Sequence, residues 1–277
     1  MKNYIVKPYK KSSDFVKSPF RYPGGKFYAL KHILPFLDAV NHDEFREPFV
    51  GGGSVFYGKY KVEHNWINDI ESDIINVYNH LSDDIKFGDF SILFDNEIVN
   101  RERYSEIIQL KTNNDFERAF RTFYLNRTSY SGIINKPAWG YAVGKSSPPP
   151  NWKKFLQDSN KKLKGVKITN LDFEEVINAK AIGKEVLIYL DPPYYNADQK
   201  RAYKKPFEVS DHIRLRDTLK KTQFKFCLSY YNCKEVRELY NWANIYEKSW
   251  LYNTANINGS SRSMGNELII TNYDVTI

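Results

Sequence analysis

The sequence predicts an α/β domain interrupted by a helical, basic insertion, and three observations carry that expectation. A strand-helix-strand rhythm begins near residue 45, strand signals vanish between residues 83 and 127, and they return after Lys164. Phe45-Arg46-Glu47-Pro48-Phe49-Val50 reads as a short strand, Gly51-Gly52-Gly53 as a turn, and residues 54 to 61 as the start of a helix. Asn65-Trp66-Ile67 reads as a second strand ending at Asn68-Asp69, followed by Ile70, Ile74, Val77 and Leu81 at helical spacing. Inside the insertion, Asp115 is placed to cap a helix whose Phe116, Phe120, Phe123 and Tyr124 recur as core positions. Residues 126 to 151, rich in Gly, Pro, Ser and aromatics, read as loops or a hairpin. Further strands are expected at 166–169, 185–190, 225–229, 245–248 and 267–272.

Composition bounds what such a domain can do. At 277 residues and 32.6 kDa the chain is one large domain or a domain with a sizeable insertion. With 42% hydrophobic and 27% charged residues it is neither disordered nor fibrous. No apolar run approaches the roughly 18 residues of a membrane span. Residues 1 to 20 are polar and lack a signal-peptide core, so the cytoplasm is the expected location. Two cysteines, Cys227 and Cys233, exclude a disulfide scaffold and a multi-cysteine zinc site. The five histidines show no ligand spacing, so no metal is expected.

The net charge of +8 and 16% aromatic content suggest a polyanionic partner, and the charge is uneven. Residues 83 to 117 hold nine acids and four bases, whereas residues 118 to 165 hold ten bases and a single acid, Asp158, a net of +9. This basic tract is interleaved with Tyr124, Tyr130, Trp139, Tyr141 and Trp152, which makes it a candidate phosphate-facing surface as well as an ordinary solvated one.

Two motifs carry chemistry. Glycines between a strand and a helix let the backbone approach a ligand, and an acid about 20 positions later, at the end of the next strand, can accept hydrogen bonds from a ribose. Asp69 stands 18 residues after Gly51, and the turn fits neither the full dinucleotide pattern nor a Walker A loop. The second motif is Asp191-Pro192-Pro193-Tyr194 after the apolar strand. A carboxylate at a strand's carboxyl end faces the crevice of an open α/β sheet, and the two prolines fix the directions of the Pro192 carbonyl and the Tyr194 ring.

Together these segments resemble the Dam-like DNA adenine-N6 methyltransferases, D12 class, in their alpha arrangement. Arg21-Tyr22-Pro23-Gly24-Gly25-Lys26 is similar to the family's amino-terminal cofactor motif, and Glu47-Pro48-Phe49-Val50-Gly51-Gly52-Gly53-Ser54 to its glycine-rich motif. Asn68-Asp69 resembles its acidic motif, Asn170-Leu171-Asp172-Phe173 the segment against the cofactor adenine, and Asp191-Pro192-Pro193-Tyr194 its catalytic signature. Leu125-Asn126-Arg127-Thr128-Ser129-Tyr130-Ser131-Gly132 is similar to the Asn-Arg segment near target recognition, and the stretch beginning Asn266-Glu267 to the closing strand. The Phe-Asn-Val-Pro-type pattern of many relatives is missing from residues 135 to 144, so the resemblance leaves the target sequence open.

The resemblance implies a Rossmann-like S-adenosylmethionine-dependent methyltransferase sheet over residues 1–72 and 166–277, with a mainly helical target-recognition insertion at 73–165. It implies S-adenosylmethionine as cofactor, held by Tyr22, Pro23, Gly24, Gly25, Lys26, Glu47, Pro48, Phe49, Gly51, Gly53, Ser54, Asp69, Asp172, Phe173 and Asp191. It implies Asp191, Pro192, Pro193 and Tyr194 as the catalytic set, with Tyr195 and Asn196 beside the pocket. Asn126, Arg127, Tyr130, Lys136, Lys200, Arg201 and Lys204 are the expected contacts to double-stranded DNA; for Arg127, helix-end capping is nearly as good a reading. A cognate restriction endonuclease system without direct contact is a further expected partner, and no membrane is involved. The expected reaction is methyl transfer to adenine N6 after base flipping. The alternatives are cytosine-N4 methylation by the same chemistry, a non-catalytic DNA-binding protein of this fold and, more weakly, an RNA substrate. Cytosine-C5 chemistry needs a thiolate in a Pro-Cys context, which neither cysteine has.

Overall fold

The computed structural model of the chain describes residues 11–22, 25–195, 206–251 and 264–275. Its centre is a seven-stranded sheet of β1 (Glu44–Glu47), β2 (His64–Asn68), β3 (Lys167–Thr169), β4 (Val186–Leu190), β5 (Lys225–Tyr231), β6 (Asn244–Leu251) and β7 (Met264–Thr271), in the order β3-β2-β1-β4-β5-β7-β6. The first five strands are parallel, and β7 runs antiparallel between β5 and β6. Each expected strand is present, with shifted ends. β1 stops at Glu47 because Pro48 has no N–H to continue a ladder, so Phe49 and Val50 belong to the turn.

Helices cover both faces. A 3-10 turn (Lys26–Ala29) and α1 (Leu30–Leu37) lie on one side with α2 (Ser54–Gly58). They bury Leu30, Ile33, Phe36, Leu37 and Val55 against Phe45, Leu187, Tyr189, Cys227 and Ile269 of the sheet. On the other side, α8 (Phe173–Asn178), α9 (Val209–Lys221) and α10 (Lys234–Leu239) pack on Ile188, Leu190, Phe226, Leu228, Leu268 and Ile270. The apolar run of β4 follows from this double cover, since both of its faces are core.

The insertion is helical: α3 (Ser72–Ser82), α4 (Asp84–Ile92), α5 (Arg101–Gln109), α6 (Asp115–Thr128) and α7 (Pro149–Leu163). α6 starts as expected, except that the cap is Asn114, whose side chain accepts from the Glu117 N–H; Asp115 is the first helical residue. The proline run Pro148-Pro149-Pro150 opens α7 instead of closing a loop, because proline's fixed φ suits a helix's first turn. Between α6 and α7 the chain is irregular, held by a bridge between Ser129 and Trp139. Trp152, Phe90, Phe94, Phe123 and Tyr124 form an aromatic core that is continuous with Phe56, Tyr57 and Ile67 of the sheet domain. The insertion is therefore packed onto the sheet's β2 flank.

Most of the positive charge in residues 118 to 165 is spent within the fold. Arg118 reaches Asp73 and Asp115, Lys153 pairs with Asp95, Lys154 with Asp158, Lys162 with Asp14 and Lys164 with Asp84. Arg121 donates to the carbonyls of Ile107 and Ile108 at the end of α5. Only Lys136, Lys145 and Lys161 are exposed without an ion pair among the described residues of this tract. The +9 of the linear sequence thus overstates the surface charge.

Candidate active site

The strand order reverses between β1 and β4, and ligand crevices of open α/β sheets lie at the carboxyl ends of strands at such a point. The glycine turn leaves β1 there and Asp191 leaves β4 beside it. Gly51 and Gly53 have φ of 45° and 69°, a region that favours glycine. Space also demands it: a Cβ on Gly51 or Gly52 would lie 2.9 or 2.7 Å from Tyr22, and one on Gly53 would lie 2.8 Å from the Tyr78 hydroxyl. Tyr22 therefore packs directly on the turn, and Ser18 bonds the Gly52 carbonyl from the same segment.

Asp69 closes the turn from the next strand. Its carboxylate accepts from the Gly51 N–H at 2.7 Å and the Glu71 N–H at 2.9 Å. Asn68 holds the neighbourhood together, donating to the carbonyls of Pro48 and Leu171 and accepting from Thr169 and the Leu171 N–H. This places Asp172 and Phe173 beside the turn, where the Phe173 ring lies 5.4 Å from Phe49 and 5.8 Å from Phe207. Asp172 caps α8 through the Glu174 N–H and takes both guanidinium nitrogens of Arg214 at 3.0 Å, while that guanidinium covers the Phe173 ring at 4.3 Å.

At the centre, the buried Lys26 ammonium stands 2.8 Å from the Asp191 carboxylate and 4.8 Å from the centre of the Tyr194 ring. The Tyr194 hydroxyl donates to Glu267 of β7 at 2.6 Å. Burial pushes the Asp191 carboxyl upward, and Lys26 pulls it part of the way back. Burial works against the charge on Lys26, but Asp191 and Glu267 outweigh it and hold the ammonium above its usual range. Burial, then the nearby Asp191 charge, raises Glu47 well above the carboxylate range, and burial raises Asp69 to about 6. The site is a buried acidic cluster around an ammonium.

Residues 22–254 match the sequence profile of the D12 class N6 adenine-specific DNA methyltransferases. The chain belongs to this family. It is 28% identical over 278 residues to a type II methyltransferase of Lactococcus lactis subsp. cremoris, covering 92% of this chain and 95% of that one. It is 30% identical over 290 residues to a type II methyltransferase of Methanocaldococcus jannaschii, covering 93% and 99%, and 26% identical over 278 residues to a DNA adenine methylase of Vibrio cholerae, covering 94% and 96%. The activity class is adenine-N6 DNA methylation, DNA is the substrate, and membership implies S-adenosylmethionine as methyl donor.

In this methyltransferase the expected residues fall into three groups. Tyr22, Gly25, Lys26, Glu47, Pro48, Phe49, Gly51, Gly53, Ser54, Asp69, Asp172, Phe173, Asp191, Pro192, Pro193 and Tyr194 come from the segments that converge at the switch point. Pro23, Gly24, Asn196, Lys200, Arg201 and Lys204 lie outside the described residues. The rest sit at the insertion. There Asn126 has a different part from the DNA contact expected of it. It is fully buried, accepts from the Arg21 N–H and donates to the carbonyls of Arg21 and Gly132. Arg127 donates to the Pro19 carbonyl and lies over the rings of Trp152 and Phe155. Both tie the Tyr22 segment to α6. Tyr130 and Lys136 are exposed, and Tyr195 packs on His212 at 4.7 Å.

Sequence reasoning does not single out Glu267 and Phe207 as site residues. For Glu267 a signal exists: an acid entering the otherwise apolar Leu268-Ile269-Ile270 strand has to find a partner. Phe207 follows a polar segment and carries no such mark. Among the described residues there is no group of three or more His, Cys, Asp or Glu side chains able to hold a metal, and no helix long and apolar enough to cross a membrane.

Proposed function

We propose that this protein methylates adenine N6 at a specific sequence of duplex DNA, with Asp191 and the Pro192 carbonyl accepting the two amino hydrogens of a flipped base. The observation that carries the reading is the Asp191 carboxylate, fixed by Lys26 at the switch point beside the glycine turn. The N6 lone pair is delocalised into the ring and is a poor nucleophile. Two acceptors held in fixed directions favour a pyramidal nitrogen, whose lone pair then points out of the ring plane. Positive charge develops on that nitrogen as it takes the methyl, and a preorganised carboxylate stabilises this charge more than the ground state. The nitrogen then releases one proton. Tyr194, its hydroxyl secured on Glu267, supplies an aromatic face for the extruded base.

The residues present fit S-adenosylmethionine, which when bound supplies an electrophilic methyl on a positively charged sulfur. Asp69, Asp191 and Glu267 outnumber Lys26, so the site has a surplus of negative charge for a cation, and the buried Oε2 of Glu47 has no hydrogen-bond partner among the described residues. Asp69 would orient a ribose while holding Gly51, Phe173 with Phe49 would flank the adenine, and Tyr22 with Gly25 would line the entrance. Because Asp69 stays protonated up to about pH 6, its carboxylate is available above that pH and is lost below it. Cofactor affinity measured by calorimetry is expected to be flat above pH 7 and to weaken as pH falls through 6; an affinity unchanged between pH 5 and 8 would contradict the role of Asp69.

The test of the whole reading is the product. Nucleosides from duplex DNA incubated with the protein and methyl donor should contain N6-methyldeoxyadenosine by mass spectrometry. N4-methyldeoxycytidine would transfer the same chemistry to the other amino base, and unmodified DNA from cofactor-bound protein would favour a binding module. Exposed Tyr130, Lys136, Lys145 and Lys161 are the insertion's contribution to the DNA face.

A further inference from the structure

We propose that Phe27, Tyr28, Lys31 and Lys248 form a second DNA-contacting surface beside the active site. The inference rests on the DNA methyltransferase reading and assigns that substrate a further contact. Phe27 and Tyr28 directly follow Lys26 in the 3-10 turn, and while Lys26 is buried against Asp191, these two rings are 42% and 43% exposed. Two adjacent large aromatics at a protein surface invite stacking or apolar contact with a partner. Their rings meet edge-on at 5.3 Å, and Phe15 extends the group at 6.3 Å from Phe27 with Lys11 above it at 4.2 Å.

The surroundings are basic. Lys31 is exposed on the first turn of α1, and Lys248 on edge strand β6 lies 5.8 Å from the ring of Phe36. His32 lies between them: burial, then the ammonium groups of Lys31 and Lys248, hold it below the usual imidazole range. Clustered ammonium groups beside exposed rings complement phosphates and base faces, not an acidic or a purely apolar partner.

The topology puts this group where the substrate must lie. β6 runs in the direction of β4 and β5, so Lys248 approaches the sheet's carboxyl edge, and it pairs across the ladder with Glu267, the residue that holds Tyr194. The patch is thus one residue from the catalytic cluster along two separate paths, Lys26 to Phe27 and Glu267 to Lys248.

The test uses the full chain, a target duplex and two double variants. Phe27→Ala/Tyr28→Ala should raise the DNA Kd about ten-fold or more, with cofactor affinity and kcat at saturating DNA unchanged. Lys31→Gln/Lys248→Gln should reduce the slope of log K against log salt by about 2, one phosphate for each lysine removed. The salt slope would not move if these side chains served only the fold. Wild-type affinity and slope in both variants overturn the proposal, as does a change confined to self-association in sedimentation. Failure of the wild-type protein to bind any duplex overturns the underlying reading as well, whereas wild-type methylation with unaltered variants overturns the second surface alone.

Discussion

Asp191→Asn is expected to lower kcat by about 10³-fold while leaving the Kd for DNA within a few-fold of wild type. The substitution preserves shape but exchanges a carboxylate for a neutral amide, so an acceptor remains and the charge facing the developing cation is gone. An interaction made only in the transition state shows as an equal fall in kcat and kcat/KM, which steady-state kinetics separates from lost binding. The change also leaves the buried Lys26 ammonium without its carboxylate partner, so the variant should melt below wild type. A variant that still folds and binds both ligands, yet transfers no methyl, places Asp191 in the chemistry. A variant with loss in KM alone would move the catalytic role elsewhere.

The same residue shows what a linear sequence can and cannot say. Asp191 was legible because it ends the apolar run of β4, and the glycine turn and Asp69 because each follows a short strand in a strand-helix-strand rhythm; parallel strands send their carboxyl ends to one edge. What could not be read was how the edge closes. Glu267 reaches Tyr194 only because β7 inserts antiparallel between β5 and β6, a pairing that no local pattern encodes. The glycines of the turn suggested room for a ligand, whereas part of the requirement is the packed Tyr22 ring, more than 25 residues away in sequence.

Charge was the least transferable signal. The excess in residues 118 to 165 was plain in sequence, but the acids that neutralise it, Asp14, Asp73, Asp84, Asp95 and Asp115, come from outside the tract. A sum over a window cannot see partners brought in by folding. Asn126 and Arg127 follow the same logic. A polar pair in a recognition segment reads as outward-facing, yet here it satisfies the backbone of residues 19 and 21. Buried carbonyls and N–H groups need partners, and the requirement is met from α6.

Lys26→Met should behave differently from Asp191→Asn, and the difference is one of pH. Lys26 is the ammonium beside Asp191, and it also acts on Glu267. Without it the Asp191 carboxyl, already raised by burial, loses the charge that pulls it down and rises further. Since the reaction needs the carboxylate, the acid limb of the kcat profile should move to higher pH. A rate loss of about ten-fold or more at neutral pH should then shrink as pH rises, whereas Asp191→Asn stays inactive throughout. Stability supplies the second reading. A carboxyl whose folded pKa lies above its unfolded value contributes stability at low pH that is lost as pH rises through the folded pKa. Lys26→Met should therefore melt closer to wild type at pH 5 than at pH 8. A rate loss of the same size at every pH would show that Lys26 acts by holding a ligand and not by keeping Asp191 ionised.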